Sequence, residues 1–162
     1  MIPATLLSLF TFAFCCAASP AAKPTIGANW ALPVPAPTAT LSDWIAAPGR
    51  TTVSLDADKV ILRGWVYPSR SSGVPTVLVF GGNGYSIDSI DQPLRVLGAQ
   101  GATVVEYDYR GFGFSTGTPD VVGIRADALR LYDKTVHDNK GEPVVVFGYS
   151  LGTLFASVPR HK

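Results

Sequence analysis

Histidine occurs twice in these 162 residues, and cysteine twice, as the adjacent pair Cys15 and Cys16. A disulfide between neighbouring cysteines is sterically disfavoured, so no disulfide framework is expected. No cluster of His, Cys and carboxylates has the spacing of a metal site. Runs of like charge are missing too, and 13 basic against 12 acidic residues leave a net charge of +1. That excludes the electrostatic footprint of nucleic-acid binding. The glycines of Gly111-Phe112-Gly113 and of residues 113–117 lack the spacing of a phosphate-binding fingerprint, so no metal and no organic cofactor is expected. There is no internal repeat. What is present is a chain 47% hydrophobic and long enough for one domain with a real core.

The apolar stretch over residues 6–14 is too short to span a bilayer, and Ala17, Ala18 and Ser19 follow it. Residues 1–18 therefore resemble a secretory signal peptide, although only the start amine supplies its charge. A secreted or periplasmic location is expected. Cleavage after Ala18 leaves a chain without cysteine; cleavage just before Cys15 or Cys16 would leave a cysteine to carry lipid and tether the protein to a membrane. Phe14 and Cys15 are poor matches for the small residues such a site prefers, which makes tethering the minority reading. Residues 19–40 are rich in Ala and Pro and read as an extended, semi-rigid linker. Residues 41–162 have the texture of a folded domain.

Within that domain, residues 51–55 and 60–67 alternate in polarity about an Asp56-Ala57-Asp58-Lys59 turn, which predicts a hairpin. Residues 75–80, 103–107 and 144–147 are short, nearly continuous apolar runs. Strands buried on both faces read this way, and they point to a parallel sheet. Helical patterns separate them. One spans 93–100 and stops at Gly101. The other spans 119–137, with Thr118 as cap, Pro119 in the first turn, and Val121, Ile124, Ala128, Leu131 and Thr135 on one face. This alternation predicts a doubly wound α/β architecture.

Three motifs stand at the ends of the apolar runs. Gly148-Tyr149-Ser150-Leu151-Gly152 lies between a strand and a helix-compatible stretch. A serine on so tight a turn, with near side-chain-free neighbours two residues away, presents its hydroxyl clear of the backbone as a nucleophile. Phe80-Gly81-Gly82-Asn83-Gly84 follows an earlier strand. Acyl transfer needs two N–H groups aimed at the tetrahedral oxygen; Leu151 and Asn83 are the candidates. Asp108-Tyr109-Arg110-Gly111-Phe112-Gly113-Phe114-Ser115 closes the run at 103–107.

In this order the three motifs resemble the α/β-hydrolase family, in its branch of serine aminopeptidase-like and lysophospholipase-like proteins, over roughly residues 50–158. The resemblance implies a mostly parallel sheet with an N-terminal hairpin and flanking helices, a small-molecule acyl substrate (ester, thioester or amide), and an acyl-serine mechanism. It implies catalysis by Ser150 and structural roles for Gly81, Gly82, Gly84, Asp108, Arg110, Gly111, Gly113, Gly148 and Gly152. Many relatives have His where Gly81 stands, so the hydrogen bonding of that loop differs.

The family order of serine, acid, histidine disfavours Asp108 as the catalytic acid, since it precedes Ser150. Holding the Arg110 loop by a charge-assisted hydrogen bond is its expected role. His137 lies near a helix end, and His161 would stand roughly 16 Å from Ser150 along a continued helix. Neither fits a catalytic base. The expectation is a partial α/β-hydrolase fold with its C-terminal strands missing, inactive as it stands. The other reading is a non-catalytic short paralogue that binds an apolar ligand or a partner.

Overall fold

The computed structural model describes residues 32, 34, 36, 37, 39–84 and 86–158. The expected signal segment, Cys15, Cys16, most of the Pro/Ala-rich stretch and His161 lie outside the described residues. Leu32, read above as part of a linker, is buried in the main core. A lone leucine among prolines has no periodicity to reveal it; only its tertiary neighbours account for its burial.

A short helix, α1 (Leu41–Ala46), begins where the texture changes. Thr40 caps it by accepting from the Asp43 N–H at 3.2 Å, and Trp44 is buried. The predicted hairpin follows as β1 (Thr51–Ala57) and β2 (Val60–Tyr67). Its turn residues Asp58 and Lys59 have φ of 51° and 72°, the paired positive values of a tight hairpin turn whose twist matches the strands. Next come β3 (Thr76–Phe80), a 3₁₀ turn over Ile87–Ile90, α2 (Asp91–Ala99) and β4 (Thr103–Tyr107). The remaining elements are α3 (Val121–Asp138), β5 (Val144–Gly148) and α4 (Gly152–Ala156).

Two helix starts differ from expectation. α2 begins at Asp91, ahead of Pro93, and α3 is capped by Asp120, whose carboxylate accepts from the Gly123 N–H at 2.6 Å. Thr118 and Pro119 stand outside α3. An aspartate at the cap combines that hydrogen bond with the favourable end of the helix dipole, and so takes the cap position closer to the apolar stripe.

The sheet order is β1-β2-β4-β3-β5, with β2 antiparallel to both neighbours and β3 parallel to β4 and to β5. The chain leaves β3 through α2 to β4 on one side, then returns through α3 to β5 on the other. Winding therefore reverses at β3, and in sheets of this kind the ligand crevice lies beyond the carboxyl ends of the strands at that point. Alternate side chains serve two cores. Leu78, Phe80, Val105 and Tyr107 pack with Ile124, Leu131 and Phe155 under α3 and α4. Val79 and Val104 pack with Trp65, Tyr67 and Leu94 under α2.

β5 departs from the two-sided burial its composition suggests. Val144 and Val146 pack against the first core, whereas Val145 and Phe147 are 49% and 52% exposed. Among the described residues, α2 lies over β2 and β4, and no helix covers the corresponding face of β5.

Candidate active site

β5 delivers Ser150 to the carboxyl end of the sheet, exposed and with φ of 53°. Left-handed backbone at a non-glycine residue costs on the order of 1–3 kcal/mol, so its surroundings must hold it there. The Tyr149 N–H donates to the Phe80 carbonyl at 3.0 Å, and the Gly152 N–H to the Tyr149 carbonyl at 2.9 Å. Thr153 donates twice to the Ser150 carbonyl, through N–H at 3.0 Å and Oγ1 at 2.7 Å. The flanking glycines are required by contact rather than by dihedral freedom. A Cβ at Gly152 would lie 1.8 Å from the Phe80 carbonyl oxygen, and one at Gly148 would lie 2.6 Å from the Gly152 carbonyl oxygen. The elbow is thus pressed directly onto the end of β3.

Because Phe80 pairs with Gly148 across the β3–β5 ladder, Gly81-Gly82-Asn83-Gly84 leaves the sheet beside the elbow. Gly81 and Gly82 are buried, while Asn83 and Gly84 are exposed. Among the described residues, neither the Asn83 nor the Leu151 N–H is given a backbone acceptor outside helices and strands. The Gly81 carbonyl accepts from Tyr109 Oη at 2.7 Å. The Tyr109 ring packs edge-on against Phe112 and Phe155, at 5.7 Å and 5.2 Å between centroids. One side chain therefore joins the loop after β3, the loop after β4 and α4. Tyr109 was not singled out above; the available signal was its phenol, since a buried hydroxyl needs a partner.

Asp108 is 3% exposed. Its Oδ1 accepts from the Ile87 N–H at 2.8 Å, and its Oδ2 accepts from the Phe114 N–H at 3.4 Å. Gly113, at φ 48°, presses against that carboxylate: a Cβ there would lie 2.1 Å from Oδ2. Burial pushes the Asp108 carboxyl up to about 7, with Asp88 adding to the rise and the two backbone hydrogen bonds opposing it. The expected bond to Arg110 is not made. Arg110 instead grips Asp127 of α3 through two bonds of 2.7 Å, with Asp120 at 3.5 Å, and Asp127 foremost raises the guanidinium pKa. Asp127 lies on the buried stripe of α3 beside Ile124, Ala128 and Leu131; a carboxylate there needs a cation, and that was its sequence signal. The loop is closed by the Gly111 N–H on the Thr116 carbonyl at 3.0 Å. Ser115 ties it to β2 by donating to the Asp108 carbonyl and accepting from the Arg63 N–H.

Glu106 of β4 lies two residues before Asp108. It is 1% exposed, and its Oε2 has no hydrogen-bond partner among the described residues. Burial first, and Asp108 second, push its carboxyl well above the ordinary range. Two buried acids therefore lie beneath the loop after β3.

His137 occupies the last turn of α3, with its ring 88% exposed and Nδ1 3.1 Å from Asp138. It stands at the amino end of β5, and Ser150 lies past the carboxyl end. At about 3.3 Å per residue, the strand alone separates them by roughly 17 Å. Among the described residues, no imidazole stands beside Ser150. A cavity of about 400 Å³ lies elsewhere, bounded by Tyr67, Arg70, Arg95 and Gly101 at the far end of the sheet. It has no part in this chemistry.

A strained serine between a parallel strand and a helix, beside a glycine loop at the winding reversal, is the layout of an α/β hydrolase. The chain belongs to the serine aminopeptidase S33 family, whose model matches residues 73–159, more than half of its length. It is 35% identical over 95 residues to the lysophosphatidylserine lipase ABHD12 of Xenopus tropicalis, a match covering 57% of this chain and 25% of that protein. The Bos taurus lipase of the same name is 37% identical over 95 residues, covering 57% and 24%. The fold is similar to that of the Pyrococcus furiosus esterase Pf2001, with a TM-score of 0.59 at 23% identity over 80% of this chain and 51% of that one. The matched region is thus about a quarter of the lipases' length and about half of the esterase's.

Proposed function

We propose that this chain carries the nucleophile and oxyanion hole of an exported serine hydrolase of the esterase and lipase type, and that it is inactive as it stands. Ser150 Oγ attacks an acyl carbonyl, and the Leu151 and Asn83 N–H groups bind the oxygen that becomes negative. The lysophosphatidylserine lipases among its relatives favour the carboxylic ester of a lipid over a thioester or amide. Export rests on the signal-like residues 1–18. The observation that carries the reading is Ser150 at φ 53°, held against the end of β3. Inactivity rests on the position of His137, the imidazole among the described residues, at the end of the sheet opposite Ser150.

Loss of the base from a serine triad lowers turnover by about 10⁴–10⁶ and leaves a residual rate from the oxyanion hole. A fluorophosphonate probe should therefore label the chain slowly, and only at Ser150. Fast labelling abolished by Ser150→Ala would refute the inactivity; slow labelling unchanged by Ser150→Ala would refute the nucleophile.

A further inference from the structure

The loop after β3 is gripped by two successive carbonyls. That of Phe80 accepts from the Tyr149 N–H of the elbow at 3.0 Å, and that of Gly81 accepts from Tyr109 Oη at 2.7 Å. The Gly81 oxygen also lies against the elbow, since a Cβ on Gly152 would stand 2.7 Å from it. Tyr109 is buried, and its ring packs edge-on against Phe155 of α4, the helix that the elbow opens. The phenol is therefore fixed against the helix of the nucleophile and reaches from it to the glycine loop.

We propose that Tyr109 is a positioning residue whose hydroxyl sets the Asn83 N–H in register with Ser150. This role rests on the reading of Ser150 as the nucleophile and of the Asn83 N–H as an oxyanion donor. A peptide unit is planar, so a bond that fixes the Gly81 carbonyl also fixes the Gly82 N–H. Only φ and ψ of Gly82 then separate that plane from the Asn83 N–H. Glycine restricts those two angles least of all residues. Neither Gly81 nor Gly82 has a side chain with which to anchor the loop, and Tyr109 supplies an anchor from another strand end. A phenol has one proton, and Tyr109 gives it to the Gly81 carbonyl. Its part is to place a donor, not to be one.

Deleting an oxyanion donor outright costs about 10²–10³ in rate. Losing the anchor leaves the donor present but poorly aimed, so a smaller loss of about tenfold is expected.

The test is the saturation kinetics of fluorophosphonate labelling at Ser150 in the full chain, which separates the limiting rate from the half-saturating probe concentration. Tyr109→Phe keeps the ring and its contacts with Phe112 and Phe155 and removes only the hydroxyl. It should lower the limiting rate about tenfold and leave the half-saturating concentration unchanged. Tyr67→Phe is the matched control: it deletes another buried phenol, bonded to Asp91 at 2.7 Å at the far end of the sheet. It should leave labelling unchanged. Tyr109→4-aminophenylalanine restores a donor on the same ring and should recover most of the rate. Independently of any labelling, the ¹⁵N order parameters of Gly82 and Asn83 should fall in Tyr109→Phe and hold in Tyr67→Phe. Labelling that survives Ser150→Ala would overturn the nucleophile, and the role of Tyr109 with it. Labelling lost in Ser150→Ala but equally fast in Tyr109→Phe would leave the nucleophile standing and overturn the positioning role. An equal fall in Tyr67→Phe would also overturn it, by tracing the effect to stability rather than to placement.

Discussion

Replacing Asp108 with asparagine should change how the stability of the domain depends on pH. The Asp108 carboxyl is held at about 7 in the fold, against about 3.9 in an unfolded chain. Between those values the native state keeps a proton that the unfolded state has released. The contribution of this group is therefore full below about pH 4 and is lost as pH rises through about 7. From about pH 5 to about pH 8 the loss works out at about 3 kcal/mol. Glu106, also raised by burial, acts with the same sign. Asp91 and Asp138 are lowered by their ion pairs and act with the opposite sign, but only as pH falls below the ordinary carboxylate range. Asparagine keeps an oxygen for the Ile87 N–H and gives up the longer Phe114 bond, a cost of about 1 kcal/mol. Asp108→Asn should thus be slightly less stable than wild type near pH 5 and more stable near pH 8. Urea unfolding at several pH values, followed through the fluorescence of the stacked Trp44 and Trp65, measures this directly. Wild-type stability that is flat or rises over that range would refute the reasoning, and so would an asparagine variant with the wild-type slope.

Two further substitutions test the site's supports. Gly152→Ala places a methyl group 1.8 Å from the Phe80 carbonyl oxygen, so the elbow must move; a loss of about 3 kcal/mol in urea unfolding is expected, together with loss of slow probe labelling at Ser150. Asp127→Ala leaves the Arg110 guanidinium, only 16% exposed, without its two-bond partner, at a cost of about 3 kcal/mol. A double-mutant cycle with Arg110→Met should recover most of that loss, because it also removes a guanidinium left with only Asp120 at 3.5 Å.

Much of this architecture was legible because its determinants are local. Residues 103–107 read as a strand and are one, and the Asp58-Lys59 turn is the backbone-specific signal of the hairpin it closes. The elbow was legible for the same reason: its pattern encodes a steric requirement that Gly148 and Gly152 meet. The partner of Arg110 was not. Asp108 was the nearer acid in sequence, yet it turns beneath the loop after β3, and the cation is met by Asp127 from a helix that sequence distance does not place there.

The sequence by itself determined the five strands, the two longer helices apart from their first residues, and the order of the three motifs, but not α1. Periodicity and turn sterics act over a few residues, and those residues are all present in the local text. Only the tertiary structure decided that Tyr109 fixes Gly81, that Glu106 and Asp108 are buried in the interior, that Leu32 joins the core, and that no helix among the described residues covers one face of β5. Each of those depends on which surface meets which. An apolar run such as Val144–Phe147 reads the same whether a helix covers it or solvent does, because side-chain chemistry records a preference for burial and not the neighbour that satisfies it.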